Sequence, residues 1–145
     1  MLKSMRSALA LGAMFVAGLG AGQWMQATPV DAQGTTRVFE MRTYTSPAGK
    51  LDDLQTRFRD HTTKLFEKHG MTNIGYWVPQ DAPLKDNTLI YIVAHQSREA
   101  AAKSWKAFSS DPDWQKVRTA SEVNGRIVEK LESVFLVPTD YSAIK

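Results

Sequence analysis

The stretch Leu89-Ile90-Tyr91-Ile92-Val93 is apolar at five successive positions. Read as a strand, Leu89 to Ala94 sends bulky side chains to both faces of its sheet, so both faces need a cover. That requirement limits the architectures open to the chain. At 145 residues and 43% hydrophobic, the sequence supplies one domain and one core. Charged residues make up 23%, near the globular average, which argues against general disorder. The formal net charge of +3 comes from scattered basic residues. No run is dense enough for a nucleic-acid stripe. Cysteine is absent, which excludes disulfides, thiolate metal sites and a cysteine nucleophile.

The remaining elements follow from periodicity and punctuation. Val38 to Thr45 reads as a strand, closed by Ser46-Pro47-Ala48-Gly49. Leu51 to His69 reads as one long amphipathic helix, with Leu51, Leu54, Phe58, Leu65 and Phe66 recurring at three-four spacing and Gly70 as its C-terminal cap. Thr72 to Val78 is a second strand, followed by the loop Pro79 to Pro83. Beyond the apolar strand, Ser97 opens a helix over Arg98 to Ser109 that turns Trp105 and Phe108 inward. Asp111 caps a further helical turn that starts with Pro112. Ile127 to Val137 is the last strand, and Pro138 onward is a tail. The order β-α-β-β-α-β is the ferredoxin-like arrangement, an α+β fold with helices on one face of the sheet. The other face then needs a second cover. The simplest is another copy of the chain, sheet against sheet across a two-fold axis, which makes the expected assembly a homodimer.

The N-terminus has a different character. Lys3 and Arg6 precede an uncharged run from Ala8 to Gly22, rich in Ala, Leu and Gly. Thr28-Pro29-Val30-Asp31-Ala32 then places small residues ahead of a cut before Gln33. This is the pattern of a secretory signal peptide over residues 1–32, with 33–36 as a flexible lead-in, 37–138 as the domain and 139–145 as the tail. The expected location is therefore periplasmic or secreted. The run is short for a membrane span, which needs roughly twenty residues, although an uncleaved anchor is the competing reading. A buried helix is disfavoured by Gly12, Gly18, Gly20 and Gly22. Removing Lys3, Arg6 and Asp31 with this segment leaves the remainder near +2. After cleavage no membrane partner is expected. A small cysteine-free domain exported in this way depends on packing or association for its stability.

Several segments together resemble a known family. Phe39-Glu40-Met41-Arg42-Thr43-Tyr44 is similar to the opening strand of NIPSNAP domains, Y-E-[LM]-R-x-Y, with Phe39 in place of the usual tyrosine. His61 falls in the next helix, where those domains often carry a histidine. Gly75-Tyr76-Trp77, Leu89-Ile90-Tyr91-Ile92, Trp105-Lys106-Ala107-Phe108, Asp111-Pro112-Asp113-Trp114 and the final Glu132 to Pro138 continue the likeness over residues 37 to 138. The resemblance implies a dimeric α+β barrel, related in fold to small cofactor-independent monooxygenases and haem-degrading enzymes. The family carries no settled chemistry, so the resemblance speaks to fold more than to function.

Polar residues at positions expected to be buried are the candidates for function. Alternation puts Val38, Glu40, Arg42 and Tyr44 on one face of the first strand, opposite Phe39, Met41 and Thr43. On the helix, Leu51, Leu54, Phe58, His61 and Leu65 share a stripe, so His61 is expected to point at the sheet. If the polar face of the strand also meets the helices, Glu40, Arg42, Tyr44 and His61 converge on one pocket. There Glu40 and Arg42 pair, and Arg42 favours a neutral His61. The plainer readings are a surface or interface ion pair and a satisfied core histidine. Trp77, Trp105, Phe108 and Trp114 are expected mainly as packing residues, with Trp77 and Trp105 also available as walls of a ligand pocket.

No metal site is expected. His61 and His69 lie about 80° apart on a helix rather than stacked, His95 ends a strand, and Asp111-Pro112-Asp113 is a helix start. No cofactor is expected either, since no phosphate loop, nucleotide fingerprint or Ser-His-Asp pattern is present. Two functions remain open. One is a dimeric module that binds a small apolar or aromatic molecule between helices and sheet. The other is a cofactor-independent enzyme of the monooxygenase or isomerase type, with His61 or Tyr44 handling a proton and Arg42 stabilising an enolate or phenolate oxygen. The absence of a nucleophile or cofactor motif favours the first.

Overall fold

The computed structural model describes residues 37–145. The expected signal peptide and lead-in, residues 1–36, lie outside the described residues. Four strands, β1 (Val38–Thr45), β2 (Thr72–Trp77), β3 (Thr88–His95) and β4 (Lys130–Leu136), form a single sheet in the order β2-β3-β1-β4. Every pairing is antiparallel. Two helical regions cover one face. The first consists of α1 (Leu51–Arg57), a π-helical turn (Phe58–Thr62) and α2 (Thr63–Lys68); the second consists of α3 (Arg98–Ser110) and α4 (Pro112–Ser121). This is the α+β order expected of the ferredoxin-like arrangement, with a short 3₁₀ turn at Leu84–Asp86 added in the loop before β3.

The apolar strand β3 is interior, held between β1 and β2. Leu89, Tyr91 and Val93 project under the helices and are buried, while Ile90 and Ile92 on the far face are half-buried. Beneath the helices an aromatic cluster joins the elements. Phe58 lies 5.7 Å from Tyr44 and 5.1 Å from Tyr91, and Phe66 lies 5.0 Å from Phe108, between ring centres. Leu54, Met71 and Ile127 complete this core. Ile127 was expected to open the last strand. Instead it plugs the core ahead of the strand, and ladder pairing starts at Lys130 opposite Thr45.

Local signals account for the boundaries. The Ser97 hydroxyl accepts from the Ala100 amide at 3.1 Å, and an Asp111 carboxylate oxygen accepts from the Asp113 amide at 2.8 Å. Each satisfies an amide that the helix itself leaves without a partner. Gly70, at φ 76°, ends α2: its amide reaches the Glu67 carbonyl, and the Met71 amide reaches the Phe66 carbonyl. On β2, a register shift between Asn73 and Gly75 brings the Trp77 indole across Gly75. A Cβ at position 75 would meet Trp77 Cη2 at 2.5 Å, so the ring requires glycine there.

The first helical region departs from the expectation of one continuous α-helix. In the π turn the Thr63 amide reaches back five residues to the Phe58 carbonyl. The Thr62 hydroxyl donates to the Arg57 carbonyl at 3.1 Å, supplying a partner where the regular ladder is interrupted. A π turn adds one residue to the helix without a matching advance of its faces. The inward positions therefore run Leu51, Leu54, Phe58, Thr62 and Phe66, and His61 rotates outward. The sequence carries this signal as a spacing of three, four, four, four, which drifts off a regular stripe.

Deletion of Asp60, which is exposed inside the π turn, restores a three-four-three-four stripe. We expect the variant to unfold cooperatively in urea within about 1 kcal/mol of the wild type. Replacement of Phe66 by Ala keeps the turn but empties a fully buried position and should cost several-fold more, on the order of 3–5 kcal/mol.

Candidate functional site

The most constrained group beneath the helices is the carboxylate of Glu40, on β1 and only 3% exposed. Trp105 of α3 donates its indole N–H to Oε2 at 2.5 Å, and His95 Nε2, at the end of β3, lies 3.1 Å from the same oxygen. The Ser133 hydroxyl on β4 donates to Oε1 at 2.6 Å. Arg42 Nε stands 3.6 Å from Oε1, an ion pair slightly too long for a hydrogen bond. Burial raises the pKa of this carboxyl, but the hydrogen bonds from His95, Ser133 and Trp105, with the Arg42 charge, outweigh it. The net result lowers the carboxyl from 4.5 to about 2. Glu40 is thus an ionised carboxylate fastened to two other strands and one helix.

That fastening sets the wall of a groove. With its N–H held by Glu40, the Trp105 indole carries the Arg42 guanidinium across its face, with Cζ 3.9 Å from the ring centre. Tyr44, two residues along β1, lies 5.7 Å from the same guanidinium and accepts a hydrogen bond from the Tyr91 hydroxyl at 3.1 Å. Because β4 is an edge strand, its helix-facing Leu131 stays 43% exposed. Two hollows open there and meet at Tyr44 and Leu131. The first, about 400 Å³, lies under α3 and is lined by Arg42, Trp105, Lys106, Phe108 and Ser109. The second, about 320 Å³, lies under α4 and is lined by Arg57, Trp114, Arg118, Arg126 and Val128 with Glu122 and Glu129.

The expected convergence is realised only in part. Glu40, Arg42 and Tyr44 do lie under the helices, and Trp105 joins them. Two assignments require correction. His61 is exposed, turned away from the sheet by the π turn, and borders a separate hollow of about 520 Å³ between α1 and α4, with Asp53, Thr56, Lys116 and Val117. It does not join Glu40, Arg42 and Tyr44 in the groove; Arg57 is the residue that lines both this hollow and the one under α4. Trp77 belongs to neither the core nor the groove: it stands 51% exposed on the opposite face of the sheet, since its neighbour Tyr76 is the residue that stacks on Tyr91 under the helices.

Sequence reading missed Arg57, His95 and Ser133. Arg57 is 4% exposed at the end of α1; it donates to Ser121 at 3.3 Å and Glu122 at 3.2 Å and lies 5.1 Å from the Trp114 ring centre. Its three-residue spacing from Leu54 was the available signal. Ser133 stood in the file Leu131, Ser133, Phe135, where a small hydroxyl between apolar residues hinted at a buried partner. Nothing local marked His95, because its partner Glu40 lies 55 residues away. Among the described residues no three His, Cys, Asp or Glu side chains gather as a metal site.

Replacement of Glu40 by Gln should cost about 2–4 kcal/mol at neutral pH, since it removes the charge that pairs with Arg42 and turns an amide NH2 toward one side of the present donor set. A carboxyl held below its unfolded value stabilises the fold above pH 4.5 and loses that contribution as pH falls from 4.5 toward 2. Urea titrations of both proteins at pH 7 and pH 3 should therefore show the gap between wild type and Glu40→Gln narrowing on acidification.

The NIPSNAP family model matches residues 39–143. No curated protein sequence matches the chain. Solved structures do. A NIPSNAP family protein of unknown function from Agrobacterium tumefaciens C58 is 20% identical and superposes with a TM-score of 0.66, covering 77% of this chain and 96% of its own. A second from the same strain is 24% identical at a TM-score of 0.65, with 75% and 99% covered. An uncharacterized NIPSNAP domain protein from Burkholderia xenovorans is 27% identical at 0.61, with 72% and 97% covered. With a family model spanning nearly all the described residues and this fold beneath it, the chain belongs to the NIPSNAP family.

Proposed function

We propose that this chain works as an exported homodimer in which each protomer binds a small apolar or aromatic molecule in the groove between α3, α4 and the sheet. The observation that carries the reading is the groove itself. Its walls are the rings of Tyr44, Trp105, Phe108 and Trp114, and its floor at Leu131 is apolar and open. Aromatic walls with a few fixed polar groups are the usual form of a small-molecule site. The two hollows together are also large enough for a ring system rather than a single ion. Of the two residues expected to handle a proton, His61 is turned away from the groove and only Tyr44 remains in it, which favours binding over catalysis.

The far face of the sheet supports the dimer. Met41, Ile90, Ile92, Trp77 and Val134 line it, and Trp77 and Val134 are each 51% exposed. A second copy of the same face covers this surface by self-complementarity, without requiring a different partner. Export rests on the order of charges and apolar residues in positions 1–32.

Native mass spectrometry of protein purified from an exporting host tests the three elements together. The expected species is a dimer of chains starting near Gln33, carrying additional small-molecule mass. Replacing Val134 with Asp should yield monomers, because the dimer would bury that charge without a partner. A wild-type monomer that retains residues 1–32 and no added mass would overturn the proposal.

A further inference from the structure

We propose that the groove takes an organic anion: a flat conjugated carboxylate whose carboxyl group binds Arg42 and whose ring system lies along Tyr44 and Leu131 toward Trp114. The inference rests on the reading of the groove as a binding site and adds the charge and length of what it holds.

Arg42 is the first argument. Its guanidinium offers five N–H donors in one plane. The side chain is only 14% exposed, yet it makes no hydrogen bond among the described residues, and buried Nε has no such partner. Glu40 does not use up those donors, since its oxygens already receive Ser133 on one side and Trp105 and His95 on the other. Stacking on Trp105 at 3.9 Å fixes the guanidinium plane without engaging its edge. A planar fork held in place with open donors matches a carboxylate bound through both oxygens.

Charge is the second argument. Arg42, Lys106, Arg57, Arg118 and Arg126 line the two hollows against Glu122 and Glu129. Glu122 is already engaged by Arg57 at 3.2 Å and Arg118 at 3.5 Å. Even with Glu40 counted behind the wall, positive groups remain in excess, and a concave, partly apolar site concentrates that field. An apolar stretch lies between the two charged ends. Tyr44 and Leu131 belong to both hollows, with Trp114 and Val128 beyond them. A bare inorganic anion would leave this apolar stretch unfilled, whereas a ring system attached to a carboxylate covers it.

The test is calorimetric titration of the protein as purified from an exporting host with two probes of one shape: the naphthoate anion and the uncharged naphthamide. Wild type should bind naphthoate about tenfold or more tightly than the amide, the usual advantage of a charge-assisted pair of hydrogen bonds. In Arg42→Gln that preference should vanish while amide affinity holds. In Arg42→Lys, which keeps the charge and serves if the first variant fails to fold, the preference should fall because the fork is lost. Lys106→Gln, at the exposed rim, should change it by only about twofold. Equal binding of both probes to wild type, or a naphthoate preference indifferent to both Arg42 variants, would overturn the inference while leaving the groove as a site for neutral molecules. Failure of wild type to bind either probe would overturn the groove reading itself.

Discussion

A single buried carboxylate organises the helix-covered face of this sheet. Glu40 sits under the helices with donors from β3, β4 and α3 converging on its two oxygens, and Arg42 from its own strand alongside. A charge removed from water is expensive unless its lone pairs are satisfied, and here they are. The result ties both strands that flank β1 or lie beyond it in sequence to the helix that covers them. It also holds the Trp105 indole at one angle. Arg42 then rests on a ring that cannot turn, and the groove acquires a wall with defined chemistry.

The helices meet this arrangement through two irregularities. The π turn adds a residue to the first helical region, which brings Thr62 and Phe66 into the core, while Arg57 just before it is buried against the end of α4. It also places His61 on the outside. The edge position of β4 leaves Leu131 uncovered, so the helices roof the sheet incompletely on that side. One feature closes the core and the other opens a groove beside it. Together they separate the aromatic cluster packed around Tyr91 from the rings of Trp105 and Trp114 that line the groove.

The two faces of the sheet have different roles for a simple reason. Alternation along β1 sends Glu40, Arg42 and Tyr44 toward the helices and Phe39, Met41 and Thr43 away from them. On β3 both faces are apolar, so neither can remain in water without cost. The helices satisfy one. The other, with Ile90, Ile92 and Trp77, is the surface on which self-association is proposed. Part of it is already shielded by the C-terminal tail, where Val137, Pro138 and Ile144 lie with Phe39 and Ile92 around a hollow of about 380 Å³.

The α+β class, the element order, the caps at Ser97 and Asp111 and the helix stop at Gly70 were legible in the residues alone, because each depends on positions only a few apart. So was the shared face of Glu40, Arg42 and Tyr44, since strand alternation is a local rule. Tertiary structure alone decided which face that was and what completed it. His95 and Ser133 reach Glu40 from 55 and 93 positions away, distances over which no spacing rule operates. The same holds for His61 and Trp77. The regular helical period assigned His61 inward, but a one-residue π insertion, stabilised by Thr62 and the core it serves, reversed it. Trp77 was placed by the side of the sheet that the helices chose to cover, a choice made by the packing of Phe58, Phe66 and Tyr91 rather than by anything within β2.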